Sequence, residues 1–189
     1  MLADSEETNY PLLRRRPSTA YVPTQRVLEI PLNILGAMRA VFSPYIKHQL
    51  ESACFWYGTL DAAGNGAVKA LVIPAQSNTW GNFHVEPGAI QAMSRATKPQ
   101  GWRNLAQIHT HPGTMVEHSS YDDVHANSRN ALSIVIPHYG QWDGAWPESI
   151  GVHEHQGEGW HLLSDAEAAV RTRIVPAAEI HLLDGRPHA

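Results

Sequence analysis

The sequence predicts an α/β domain, a single mixed β-sheet with flanking helices. Three observations predict it. Short apolar runs rich in Val, Ile, Trp and Tyr recur along the chain. Segments with apolar residues at helical spacing are interleaved with those runs. The chain has 189 residues, 43% of them hydrophobic, which is the size and composition of one ordinary domain with a sizeable core.

Residues 1–26 hold three prolines and several charges and are expected to form an extended arm. "VLEI", from Val27, is a short strand. "PLNILGAMRAVF" then places Leu32, Leu35, Met38, Val41 and Phe42 at helical spacing, with Pro31 suited to a first turn. Pro44 is expected to kink or end that helix, and "YIKHQL" to resume it. "CFWYGTLD" and "AVKALVIPA" read as two strands joined by the turn "AAGNG". After them come a helix in "PGAIQAMSRATKP", a strand in "NLAQIHTH", a helix in "YDDVHANSRNAL" and a buried strand in "SIVIPHY". "SIGVHEH" and "GWHLLS" form a hairpin around "QGEG", and Ser164 caps a last helix, "DAEAAVRTR". The domain is expected over residues 27–175, with a tail over 176–189.

Composition excludes several function classes. The net charge is −4 and the one basic run, Arg14 to Arg16, lies in the arm, so nucleic acid is not expected as a partner. A single cysteine, Cys54, leaves no internal disulfide and no zinc site built on paired thiolates. The first residues show no signal-peptide pattern, and no apolar run has membrane-spanning length. The expectation is a cytoplasmic protein that is not membrane-bound.

Chemistry concentrates in "IHTHPGTMVEHSSYDDVHA", Ile108 to Ala126. If "NLAQIHTH" is a strand, His109 and His111 share one face, about 6–7 Å apart at their Cα atoms, and two imidazoles can converge on one metal. Pro112 ends the strand. Asp122, opening the next helix, can add a carboxylate, so that two His and one Asp leave a fourth tetrahedral position open, the pattern of a catalytic zinc site. Ser119 and Asp122 also have the spacing of a helix cap, and the two readings are compatible. Hydrolysis needs a further group to move a proton. Glu117 is near in sequence and Glu51 precedes a strand; spacing alone selects neither. His118 and His125 flank the cluster, whereas His153 and His155 repeat H-x-H without an acidic partner, as on an exposed hairpin face.

"HTHP", six residues and then "SSYD" reproduce H-x-H-P-x6-S-x-x-D, and with "ESACFWYG" upstream the chain resembles the JAMM (MPN-plus) metalloproteases from about Val27 to Leu163. The resemblance implies a JAMM/MPN fold of cytidine-deaminase-like architecture. It assigns His109, His111 and Asp122 as zinc ligands, Glu51 as general acid/base and Ser119 as a donor to the oxyanion. Two positions depart from the family: His118 stands where many members have Pro, and Phe55 where a small residue is usual. The resemblance further implies cleavage after the C-terminal glycine of a ubiquitin-like protein. In prokaryotic members it implies operons with E1-like and E2-like enzymes, including antiphage defence. Processing of a sulfur-carrier protein, a non-catalytic scaffold and a RadC-like role are the alternatives; acidity and the lack of a helix-hairpin-helix region oppose the last. Trp80, Trp142 and Trp146, in two aromatic-bearing loops, could line a substrate groove or pack over the core.

Overall fold

The computed structural model describes residues 21–187 except 127 and 158; residues 1–20 of the expected arm, including Arg14 to Arg16, lie outside the described residues. In chain order the elements are β1 (Leu28–Pro31), α1 (Leu32–His48), β2 (Ala53–Leu60), β3 (Gly66–Ile73), β4 (Ser77–Asn78), β5 (Phe83–His84), α2 (Pro87–Thr97), β6 (Arg103–Thr110), α3 (Ser120–His125), β7 (Leu132–Ile136), β8 (Gly151–Gln156), β9 (Gly159–Leu162), α4 (Asp165–Arg171), β10 (Thr172–Val175) and β11 (His181–Asp184). Nine strands make one mixed sheet in the order β10-β1-β3-β2-β6-β7-β8-β9, with β11 also on β3; β4 and β5 pair separately. No described helix is long and apolar enough to cross a membrane.

Both faces of the sheet are covered, which explains why "CFWY" is an unbroken apolar run. Cys54 and Trp56 pack with Ile34, Met38 and Phe42 of α1 in the larger core cluster. Phe55 and Tyr57 point the other way, onto Met93 of α2. α1 passes through Pro44 and ends at Gln49 in a left-handed conformation, so the resumed helix is one continuous element.

Three expectations need correction. The helix expected over "YDDVHANSRNAL" stops at His125, and Ala131 N–H then closes a turn on the Ser128 carbonyl. Ser and Asn in this stretch favour turns, and its apolar residues do not sustain helical spacing. The last helix ends at Arg171, because Thr172 is buried and enters β10 beside β1. The segment expected as a tail, 176–189, contains β11, which pairs in parallel with Ala70 to Ile73. Its strand was hidden because its residues are mostly exposed and carry little alternation.

At the centre lies β6, paired antiparallel with β2 and parallel with β7, so that His109 faces Ala53 on one side and Val135 on the other. β2 is irregular on both edges near Gly58. A Cβ at Gly58 would sit 2.0 Å from the Ala67 carbonyl oxygen, a backbone atom with no room to give. Gly58→Ala should therefore lower stability in urea unfolding by about 3 kcal/mol or more. Gly36→Ala, exposed on α1 with nothing within 4 Å, should raise it by about 0.5–1 kcal/mol.

Candidate metal centre

His109 occupies the penultimate position of β6 and is wholly buried; His111 follows the strand end, held by its N–H to Ile136 and its carbonyl to Tyr139 N–H. The chain after Pro112 folds back, so that α3 begins opposite the strand end. Ser119 caps that helix in a reciprocal box: its Oγ accepts the Asp122 N–H, and the Asp122 carboxylate accepts the Ser119 N–H at 2.7 Å. The same box aims the carboxylate at the two imidazoles.

The convergence is close. His109 Nε2 and His111 Nε2 are 3.2 Å apart, His109 Nε2 is 3.2 Å from Asp122 Oδ1, and His111 Nε2 is 3.2 Å from Asp122 Oδ2. Four-coordinate zinc with bonds of about 2.0–2.1 Å separates its ligand atoms by about 3.3 Å. The three side chains therefore fit one cation without rearrangement. His111 Nδ1 lies 3.2 Å from the Met115 carbonyl, an acceptor, which holds a proton on Nδ1 and turns Nε2 toward the cluster. His109 Nδ1 is buried with no hydrogen-bond partner among the described residues, so that ring is oriented by its Nε2 contact with Asp122 and by packing, with the Phe83 ring 5.4 Å away.

Electrostatics follow from burial and proximity. Burial opposes ionisation of Asp122, but the two histidines outweigh it and hold the carboxyl well below the usual carboxylate range. Burial drives His109 down. On His111 burial acts the same way, yet hydrogen bonding to Asp122 and the charges of Asp122 and Glu51 prevail and raise it.

Glu51 lies just before β2, buried, and within electrostatic reach of His111 and Asp122. Its backbone is fixed by residues that sequence reasoning missed. Its N–H donates to the Thr79 carbonyl and its carbonyl accepts from Asn78. The Gln76 amide pairs with both the N–H and the carbonyl of Ala53, standing in for a strand neighbour. Polar "QSN" reads as loop, and no local signal ties it to β2. Burial pushes the Glu51 carboxyl up to about 8, with His111 pulling it down and Asp122 adding to the rise.

Ser119 Oγ donates to Asp122 Oδ2 at 2.7 Å, so in this arrangement it orients a candidate ligand. Glu117, the other acid weighed, is exposed. His125 is exposed and stacks on Tyr121. His118 is drawn in: it bridges Asp123 and Ser133 and stacks on His153 at 3.9 Å. Ser133 is fully buried, so this Ser-His-Asp order offers no accessible nucleophile. His153 is buried rather than exposed as expected, because the loop after Pro112 crosses β8 there and brings the Val116 carbonyl onto Gly151. Trp142 and Trp146 are packing residues, bonded to Glu148 and Thr172 and in contact with each other. Trp80 alone of the three is exposed, on the β4–β5 turn, where its carbonyl accepts from Tyr139.

No family model matches the chain, and no curated protein matches it. Among solved structures it is similar to a Desulfitobacterium hafniense protein determined in solution, with 14% identity and a TM-score of 0.62 over 81% of this chain and 96% of that one. It is also similar to a protein of Salinibacter ruber, with 19% identity and a TM-score of 0.51 over 73% of this chain and 89% of that one. These likenesses carry the fold, a mixed α/β domain with a curled sheet and few helices.

Two predictions follow from this geometry. The Glu51 carboxyl is raised from 4.5 to about 8 in the folded chain. Between those values the unfolded chain releases the proton and the folded chain keeps it, so the metal-free fold loses stability as pH rises through that window. Glu51→Gln has no proton to release. Unfolded in urea with a chelator present, it should match the parent near pH 4.5 and exceed it at pH 8 by up to roughly 4 kcal/mol; a difference independent of pH would refute this. Ser119→Ala removes both the cap and the anchor of Asp122, and should lower stability by about 1 kcal/mol in the same assay.

Proposed function

We propose that the chain is a zinc-dependent isopeptidase of the JAMM type, cleaving after the C-terminal glycine of a ubiquitin-like protein, in deconjugation or precursor processing. One observation carries the reading: His109, His111 and Asp122 converge on a single point with an acid, Glu51, beside them. The H-x-H-P-x6-S-x-x-D spacing and the position of Glu51 between α1 and β2 support a JAMM/MPN, cytidine-deaminase-like architecture.

His109, His111 and Asp122 would hold the zinc, which when bound supplies Lewis acidity toward the scissile carbonyl and toward water. Glu51 moves the proton. Its carboxylate, buried beside the cluster, would accept a proton from water and return it to the departing amine. Ser119 keeps Asp122 in place, and turning its hydroxyl from that carboxylate to the carbonyl oxygen would let it donate to the oxyanion. No covalent intermediate is needed, so buried Cys54 has no role in the chemistry. E1-like and E2-like enzymes encoded nearby would make the conjugates that this enzyme takes apart.

Purified protein should contain about one zinc per chain, the stoichiometry of a mononuclear catalytic site. Asp122→Ala should lose it, while Glu51→Gln should keep the metal and lose cleavage of a ubiquitin-like substrate, read by mass spectrometry. A metal-free parent after reconstitution, or an active Glu51→Gln variant, would sink the assignment.

A further inference from the structure

Beside the metal centre, an open cleft of about 910 Å³ lies against the α2 face of the sheet. Phe55, Tyr57 and Gln107 contribute to its lining, and it extends to Asp122. Its charge is one-sided. Arg26, Lys98, Arg103 and Arg129 line it, all four exposed, and Asp122 is its only lining carboxylate among the described residues. Arg171 on the same lining is taken up by Glu154 at 2.9 Å, but the other four make no ion pair among the described residues. Unpaired cations gathered in one cleft of a chain with net charge −4 run against the charge of the whole.

The cations gather far from the metal centre. Arg103 opens β6, and Lys98 follows α2 five residues earlier. Arg26 lies against the turn at Gly64, and Arg129 follows Ser128, whose hydroxyl is bonded to Asn104 on β6. His109 stands six residues beyond Arg103, or on the order of 20 Å at the strand rise. An extended peptide covers that distance in about six residues.

We propose that this cleft takes an extended peptide bearing acidic side chains about six residues from the bond presented to the metal centre. The proposal rests on the peptidase reading and adds the charge of its substrate. A single-stranded nucleic acid is the weaker occupant, because Phe55 and Tyr57 are buried, while the partly exposed rings of the lining, Trp102 and Tyr121, already pack on His181 and His125.

The test uses the full chain and fluorescein-labelled peptides of about ten residues ending in Gly-Gly, with Glu, Gln or Lys at the fifth to seventh residues from the end. Binding is read by anisotropy. The Glu peptide should bind roughly tenfold more tightly than the Gln peptide, since a few solvent-exposed charge pairs sum to about that much. That advantage should vanish in Arg103→Glu, in Lys98→Glu, and in about 0.5 M sodium chloride. Equal binding of the Glu and Gln peptides, absent binding, tighter binding of the Lys peptide, or tighter binding of a labelled oligothymidylate would overturn the proposal. These peptides resemble a product and need no turnover, so charge preference is separated from zinc content and cleavage, which are measured on the same protein.

Discussion

The Asp122 carboxylate is where the start of a helix and the convergence of three candidate metal-binding side chains meet. Its Oδ2 accepts two bonds from Ser119 and meets His111, while Oδ1 meets His109. A carboxylate this buried is tolerated only because both of its oxygens have partners. The six-residue α3 could not supply that stability by helix propensity, since so short a helix is marginal alone. Its first turn is held instead by the cap and by two histidines contributed from the sheet.

Those histidines are in turn set by the sheet. β6 is bonded along both edges, so a slip of one residue would break two ladders and turn His109 into the α1 core. Irregular pairing at Tyr57 and Gly58 adjusts β2 to both neighbours while the strand's first residues keep their register opposite His109. Glu51 is thus placed by its own strand and by the side chains of Gln76 and Asn78 behind it. The site rests on backbone geometry for two histidines and a glutamate, and on a cap for its aspartate.

Much of this was legible in the sequence. Alternation on a strand predicts that His109 and His111 share a face, and Ser119 with Asp122 carries a cap signature that the structure realises. Most strands and α1 stand near where periodicity put them. What escaped depends on contacts between distant residues. His153 reads as exposed until the loop carrying Val116 lies across Gly151. β11 has no pattern of its own and exists as a strand because β3 has an open edge. The helix after Asp122 ends early because apolar periodicity fails just where turn-forming residues begin. Three tryptophans of equal standing in the sequence part company once Trp142 and Trp146 find carbonyl and hydroxyl acceptors.

The pairing of β11 bears on which edge the sheet presents beyond β3. β1 covers β3 only at Gly66 and Ala67, and β11 covers it from Ala70 to Ile73. Stripped of β11, β3 would present four apolar residues and a row of free amides, a ready template for strand addition by another chain. A four-residue strand followed at once by Gly185 closes it. β11 is thus an edge guard for β3, a contribution to colloidal behaviour that lies apart from the candidate metal centre.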